Sequence, residues 1–358
     1  MGAVMRPLKP AKGTVADCLQ PTSSVGHVEI RAKGKSLLVP SVQIDGRTVI
    51  ITGKWLRVAA VRHEDLIEGD TVSDPDSFIS QLNKSALKVD LFTFAQRLPS
   101  CARKYNYHTE WDNAAVVPIT DFSQWWKGRA EYSIRKAVNR AKKLGVVTRA
   151  AEFNDEFVEA VCRIYGESPV RQGKAFWHYR KDFQTLKHEL GDYLDRSVFI
   201  GAYYQDELIG SMKIIYVNST ATIVQIFCSQ KHFDKRPNNA LIAKAIEICE
   251  AKGKSHFIYG GFIYNDPNSS LTEFKRRNGF EPVPLPRYYI PLTVKGKIAL
   301  ALGLHRGIAA NTPRPILRQF LKLRRFWTDR RLHAVDKTGI EDVNVGRAKR
   351  DRLKDGPV

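Results

Sequence analysis

The chain has 358 residues, more than one core usually organises, and 43% of them are hydrophobic, enough for one large or two moderate domains. With 26% charged and 10% aromatic residues the composition excludes a disordered or collagen-like chain, and no apolar run approaches the roughly 18 residues that a membrane span needs. Its net charge of +20 points to phosphate-rich or acidic partners.

Residues 1–24, rich in Pro, Gly and Ser, read as a leader without an apolar signal core, and Arg6 stands where a myristoylation signal wants Ser or Thr. From Val28, the β-rich runs HVEIRA, SLLVPSVQI and RTVIITG are separated by the turn pairs Lys33-Gly34 and Asp45-Gly46, which predicts a meander. Asp74 caps a helix running to Leu87, with Phe78, Ile79 and Leu82 on one face, and the strand VDLFTFAQ follows at 89–96. These elements form a partial unit over 25–112.

A second unit spans 113–292. It opens with the strand AAVVPI, and Asp121 caps a helix whose face of Ile134, Ala137, Val138 and Ala141 is surrounded by Arg135, Lys136, Arg140, Lys142 and Lys143. Asn154 caps the next helix. The dense polar and aromatic cluster Arg171, Gln172, Trp177, His178 and Tyr179 then interrupts two helices, as an acceptor-binding loop does.

SVFIGAYY, LIGSMKIIYV and TATIVQIFC read as three antiparallel strands. A polar loop, SQKHFDKRP, leads into the helix NNALIAKAIEICEAKG with Gly253 just past its end, followed by strand HFIYGG, helix SSLTEFKRRNG, and strands FEPV and RYYIPL. The tail, 293–358, holds sixteen basic against six acidic residues, half of the net charge. KGKIALALGLHRG and PILRQFLKLRRFW within it predict short amphipathic helices suited to an anionic membrane surface, RNA or docking on the fold.

Cys18, Cys101, Cys162, Cys228 and Cys249 contain no CxxC, so neither a disulfide framework nor a four-thiolate zinc site is expected; no metal is assigned, and a reducing cytoplasm fits.

The order of elements over 197–292, closing on Phe274-Lys275 and Gly279-Phe280, resembles the GNAT N-acetyltransferase fold. Together with WWKGRAEYSIRKAVNRAKKLGV, it resembles more closely the FemAB-like transferases, which build two such units in tandem. The resemblance implies an α/β fold, a GNAT-like mixed sheet flanked by helices, with the second unit complete. It also implies an N-acyltransferase taking an acyl group from an acyl-CoA such as acetyl-CoA to a small-molecule or cell-envelope amine, in the cytoplasm or at the inner face of the membrane. Aminoacyl-tRNA as donor, and an idle fold that binds nucleic acid or membrane, are the alternatives.

The same resemblance assigns residues 235–241 to the donor phosphates: Lys235, Arg236, Asn238, Asn239, Ala240 and Leu241, where a helix N-terminus meets negative charge. Asn238 stands at a family glycine position, and Pro237 removes one N–H donor. Backbone N–H groups near Phe227 and Cys228 are expected to polarise the acyl carbonyl, with Asp266, Tyr264 and His232 as nearby titratable groups. Lys275 stands where coenzyme-A-dependent relatives carry a Tyr. In FemAB-like proteins the lysine lies near the transfer centre and the aromatic before it, Phe274 here, near the donor's nucleoside; the bland alternative is a solvated lysine in the run Lys275-Arg276-Arg277.

Overall fold

The computed structural model describes residues 25–306 other than 33–34, 172 and 265; the leader at 1–24, Gln172, and the tail from 307 with its Ile316 to Leu323 face lie outside the described residues. The chain divides into two compact units, Met1–Thr293 and Val294–Val358. Among the described residues no helix is long and apolar enough to cross a membrane.

The meander is present as β1 (Val25–Ala32), β2 (Lys35–Ile44) and β3 (Arg47–Thr52), paired antiparallel in sequence order. A short strand that the sequence reading did not mark, β4 (Val58–Val61), extends it. Helix α1 (Pro75–Lys84) starts where the Asp74 carboxylate accepts the Ser77 N–H at 3.1 Å, and its buried Phe78 stacks on Phe92 of β5 (Leu91–Ala95). Such a cap satisfies one of the donors a helix start leaves free. Because α1 carries the chain across, β5 lies parallel to β4.

The second half begins with β6 (His108–Pro118) and α2 (Phe122–Gln124), which runs into a π-helical turn over Trp125–Arg129. The sequence predicts one continuous helix to Lys143. Instead Ala130 is extended (φ −68°, ψ 124°), and α3 (Tyr132–Lys143) starts afresh. Strand β7 (Val147–Ala151), helix α4 (Asp155–Tyr165), the small hairpin β8 (Val170–Arg171) and β9 (Lys174–Ala175), and helix α5 (Phe183–Leu190) follow.

The three antiparallel strands are β10 (Ser197–Tyr204), β11 (Glu207–Val217) and β12 (Thr220–Cys228). Then come α6 (Pro237–Ala251), β13 (His256–Gly261), α7 (Ser270–Arg277) and a single long β14 (Glu281–Pro291) in place of the two short strands expected. This is the GNAT-like mixed sheet with flanking helices. All these strands except the small hairpin join one sheet, ordered β1-β2-β3-β4-β5-β14-β6-β13-β12-β11-β10-β7.

β14 is the seam. Its first residues pair with β6 and its last five with β5, so a strand from the end of the unit joins the two halves. Because successive side chains on a strand alternate faces, Ala115 and Val117 of β6 pack into the core that includes α3 and α6, while Ala114 and Val116 join Leu98 and Leu285 on the other face. Arg287 of β14 donates to Asp112 at 2.9 Å and pairs with Glu64. Burial opposes the Arg287 charge, but the two carboxylates outweigh it and raise its pKa above the ordinary value.

The unit from Val294 shows α8 (Val294–Ala301), the first of the two helices expected in the tail, followed by a 3-10 turn over Leu304–Arg306. Val294, Ile298 and Leu302 are exposed at helical spacing.

Candidate active site

The central opening arises from strand pairing that stops. β12 and β13 are parallel and bonded only from Thr220↔His256 to Thr222↔Ile258. Beyond that point β12 stays with β11 and β13 stays with β6, so the remaining parts of the two strands share no ladder. A bulge in β12 between Ile223 and Gln225 leaves Val224 unpaired and exposed toward a cleft of about 720 Å³. That cleft lies on the Ala114 face and is lined also by Thr222, Ile258, Gly260, Gly261, Ile263, Tyr264 and Leu285, with Glu64, Asp65 and Asp112 among its polar residues.

On the helical face, a groove of about 460 Å³ runs between α3, the start of α6, and α7. Lys136 and Arg140 of α3 and Arg236 before α6 line it together with Phe274, Asn239 and Arg277. Lys136, Arg140 and Arg236 make no ion pair or side-chain hydrogen bond among the described residues. Cations left unpaired in one groove attract phosphate.

Lys275 stands beside residues that line each space and lines neither itself. It lies on α7 next to Phe274, yet its side chain is wholly buried, at 0% exposure. Its Nζ donates to the Gly261 carbonyl at 2.5 Å and stands 4.5 Å from the Tyr259 ring centre and 4.6 Å from that of Tyr264. Burial lowers its pKa from 10.5 to about 8. Arg276 and Arg277, its neighbours in the basic run, point outward and pair with Glu273 and Glu131. One residue of the run therefore turns inward.

The turn after α7 fixes this arrangement. Gly279 has φ +81°, and a Cβ there would come within 3.1 Å of the Arg129 backbone. The Arg277 carbonyl accepts the Glu131 N–H at 3.0 Å, and the Asn278 carbonyl accepts the indole N–H of the buried Trp125 at 2.9 Å. These contacts seat the end of α7 in the break between the π-turn and α3, which explains why the helix expected from Asp121 is interrupted at Ala130. They also hold α3 and α7 together as the two walls of the groove.

The other residues singled out in the sequence are dispersed. Arg236 adopts φ 59° as the residue before α6 and gives no side-chain cap, while the N–H groups of Asn239 and Ala240 both reach the Arg236 carbonyl, at 3.2 and 3.3 Å. Asn239, Ala240 and Leu241 are buried, and Lys235 lies over the Tyr204 ring at 4.7 Å beside Asp234. Phe227 packs against Tyr165, and burial pushes the Cys228 thiol up to about 11. Asp266 is exposed and accepts the Asn268 N–H at 2.9 Å within its own loop. His232 packs against Tyr204.

Arg171 donates to the carbonyls of Cys228 and Ile164, at 2.9 and 2.7 Å, and stacks on Phe176, so it ties the small hairpin to the ends of β12 and α4. Trp177 is exposed and Tyr179 is half-buried; neither lines the groove or the cleft. Sequence reasoning did not assign Lys136, Arg140, Tyr259 or Gly261. The unmatched basic face of α3 was the one signal available for the first two.

Replacing Gly279 by Ala forces a side chain into a left-handed conformation, which costs on the order of 1–3 kcal/mol, and into the Arg129 backbone besides. A lower urea midpoint with an unchanged slope is the expected result; an unchanged midpoint would show that the turn does not hold α7 against the break.

No family model matches the sequence, and no curated protein matches it. Among solved structures, the chain is similar to L-PGS from Bacillus licheniformis at 17% identity, over 71% of this chain and 85% of that one, with a TM-score of 0.48. It is similar to FemX at 10% identity, over 74% and 88%, with a TM-score of 0.48. The C-terminal domain of a protein named as a lysylphosphatidylglycerol synthetase of Agrobacterium fabrum follows at 13% identity, over 71% and 84%, with a TM-score of 0.47. Matches to this chain include proteins named as FemX and as GNAT-family acetyltransferases.

Proposed function

We propose that the chain is an N-acyltransferase of the FemAB-like kind, with the donor in the basic groove, the amine acceptor in the cleft, and Lys275 at the point of transfer. In this reading residues 25–112 are a partial first unit and 113–292 the complete one. The observation that carries it is the Lys275 side chain: a buried amine in contact with Gly261 and Tyr264 of the cleft wall, on the residue next in sequence to the groove-lining Phe274. A buried lysine beside an opening, with a pKa well below the ordinary value, is a recurrent mark of a functional site.

The reaction needs little beyond positioning and charge. The acceptor nitrogen attacks the acyl carbonyl, and a C–N bond forms as the carbonyl oxygen becomes an oxyanion beside the Lys275 ammonium. Collapse breaks the donor's C–S or C–O bond, and the proton lost by nitrogen leaves with the donor's thiol or hydroxyl. Because the Lys275 pKa is lowered to about 8, the ammonium is present below that pH and is lost as pH rises through it. Turnover should therefore fall above about pH 8. Lys275→Ala should lower kcat by about one to three orders of magnitude, with circular dichroism unchanged, and Lys275→Arg should remove the alkaline fall while changing reach. Wild-type turnover in Lys275→Ala would end this reading.

For the donor, the shared chemistry is phosphate. An acyl-CoA presents a diphosphate to Arg236, Lys136 and Arg140; an aminoacyl-tRNA presents its 3′-terminal phosphates. Arg236→Ala should raise donor KM more than it alters kcat, since the contact is held equally before and during transfer. Thermal shifts with acetyl-CoA and with charged tRNA, each repeated on Arg236→Ala, distinguish the two donors. A variant that matches the wild type with both ligands would remove the groove as the donor site.

The segment from Val294 reads as a peripheral anchor for an anionic membrane surface, where apolar and basic contributions add. The exposed Val294, Ile298 and Leu302 lie beside Lys295 and Lys297, and the basic tail follows. Sedimentation with vesicles containing phosphatidylglycerol should fall when 294–358 are deleted, and added salt should weaken binding of the full chain. Equal sedimentation of both chains would place the membrane-binding surface elsewhere.

A further inference from the structure

Lys275 is positioned for transfer and yet closed to every ligand, because none of its surface is exposed. The two aromatic rings against its ammonium differ in character. Tyr259 is embedded among the core residues and packs on Phe280, whereas Tyr264 is 62% exposed and forms part of the cleft wall. Tyr264 is thus the removable side of the enclosure.

Among the described residues Tyr264 has one polar attachment. The N–H of Gly261, the last residue of β13 and opposite Ala114 of β6, donates to the Tyr264 hydroxyl oxygen at 3.2 Å. The Gly261 carbonyl accepts from Lys275 Nζ. A backbone donor and a buried ammonium therefore converge on one residue, and the phenol oxygen occupies the acceptor position in front of the backbone donor. Gly260 permits this closed pose: its φ is +54°, and a Cβ would lie 2.3 Å from the Tyr264 oxygen. Downstream, the Phe262 and Ile263 N–H groups are both held by Asn113, at 2.7 Å to its carbonyl and 2.5 Å to its side chain. The two residues between Gly261 and Tyr264 are thus anchored to β6, so the Tyr264 side chain can turn without carrying Gly261 with it.

We infer that the Gly261 N–H and the Lys275 ammonium together form the oxyanion hole, and that the Tyr264 side chain is a gate whose hydroxyl oxygen holds the oxyanion's place until substrate displaces it. The inference rests on the acyl-transfer reading above and adds to it a backbone donor and a moving part. When the amine attacks and the C–N bond forms, the carbonyl oxygen takes the negative charge between these two donors. As the donor's C–S or C–O bond breaks, the electrons return to the carbonyl and the nitrogen's proton leaves with the thiol or hydroxyl. Donors fixed before the reaction are worth more than donors that must reorganise during it. With the gate closed, a charged lysine is kept from water and from stray electrophiles.

The test uses the full chain without donor or acceptor. Lys275 is labelled by reductive methylation, read by peptide mass spectrometry, in the wild type, Tyr264→Phe and Tyr264→Ala. Labelling of Tyr264→Ala at least about tenfold faster than wild type, with Tyr264→Phe between them, is expected; equal rates in all three would overturn the gate. Acetate then serves as an oxyanion probe, followed by the Gly261 amide resonance. It should shift that resonance in Tyr264→Ala but not in wild type, and the shift should vanish in Tyr264→Ala with Lys275→Ala. No shift in Tyr264→Ala, or a shift that survives loss of Lys275, would overturn the paired oxyanion hole. Since neither measurement involves transfer, a chain that passes both yet transfers nothing would count against the acyl-transfer reading alone.

Discussion

A lysine ammonium buried with one carbonyl and two aromatic rings is the constraint on which the site depends. Taking an ammonium out of water is costly, and without a carboxylate partner the cost appears as a lowered pKa. For Lys275 it brings the pKa to about 8. Such a side chain stays inside only if the surrounding backbone leaves it nowhere else to go. Helix α7 is capped at its start by the Ser269 hydroxyl and seated at its end by the Gly279 turn, so the one inward-facing position of its last turn is fixed over Gly261.

The sheet supplies the rest of the arrangement by ceasing to pair. Parallel bonding between β12 and β13 ends after three residue pairs, and β13 continues beside β6. Gly261, at the end of β13, accepts from Lys275 through its carbonyl and donates to Tyr264 through its N–H. The same divergence opens the cleft on one face of the sheet, while α3, α6 and α7 form the basic groove on the other. The interruption in the ladder thus opens the cleft, and the helices supply the groove. β14, bonded to strands of both halves, keeps β5 and β6 at a fixed separation across it.

Much of the fold was legible because its signals are local. Asp74, Asp121 and Asn154 read as helix caps, and each side chain accepts an N–H three residues on. The strands β10 to β12 read correctly from apolar runs bounded by turns. The break at Ala130 was not legible, since the residues that pack into it, Arg277 to Gly279, lie far along the chain. The three cations Lys275, Arg276 and Arg277 look alike in sequence, and only the position of Glu273 and Glu131 on the outer side distinguishes the two that face solvent. Arg171 was singled out for its polar surroundings, but its guanidinium is spent on two backbone carbonyls, a use that no local pattern announces. The groove's cations come from α3 and the loop before α6, about a hundred residues apart, so their convergence is a property of the fold.

The central claim is that Lys275 is the cation of the transfer centre, and the most direct measurement is a pH titration of its Nζ by NMR in the full-length chain carrying nitrogen-15 lysine, assigned by comparison with Lys275→Ala. The account predicts titration near pH 8 in the free protein and a rise toward the ordinary lysine value when a negatively charged tetrahedral analogue of the acyl-transfer intermediate is bound. Titration near 10.5 in the free protein, or a value that the bound analogue leaves unmoved, would contradict it.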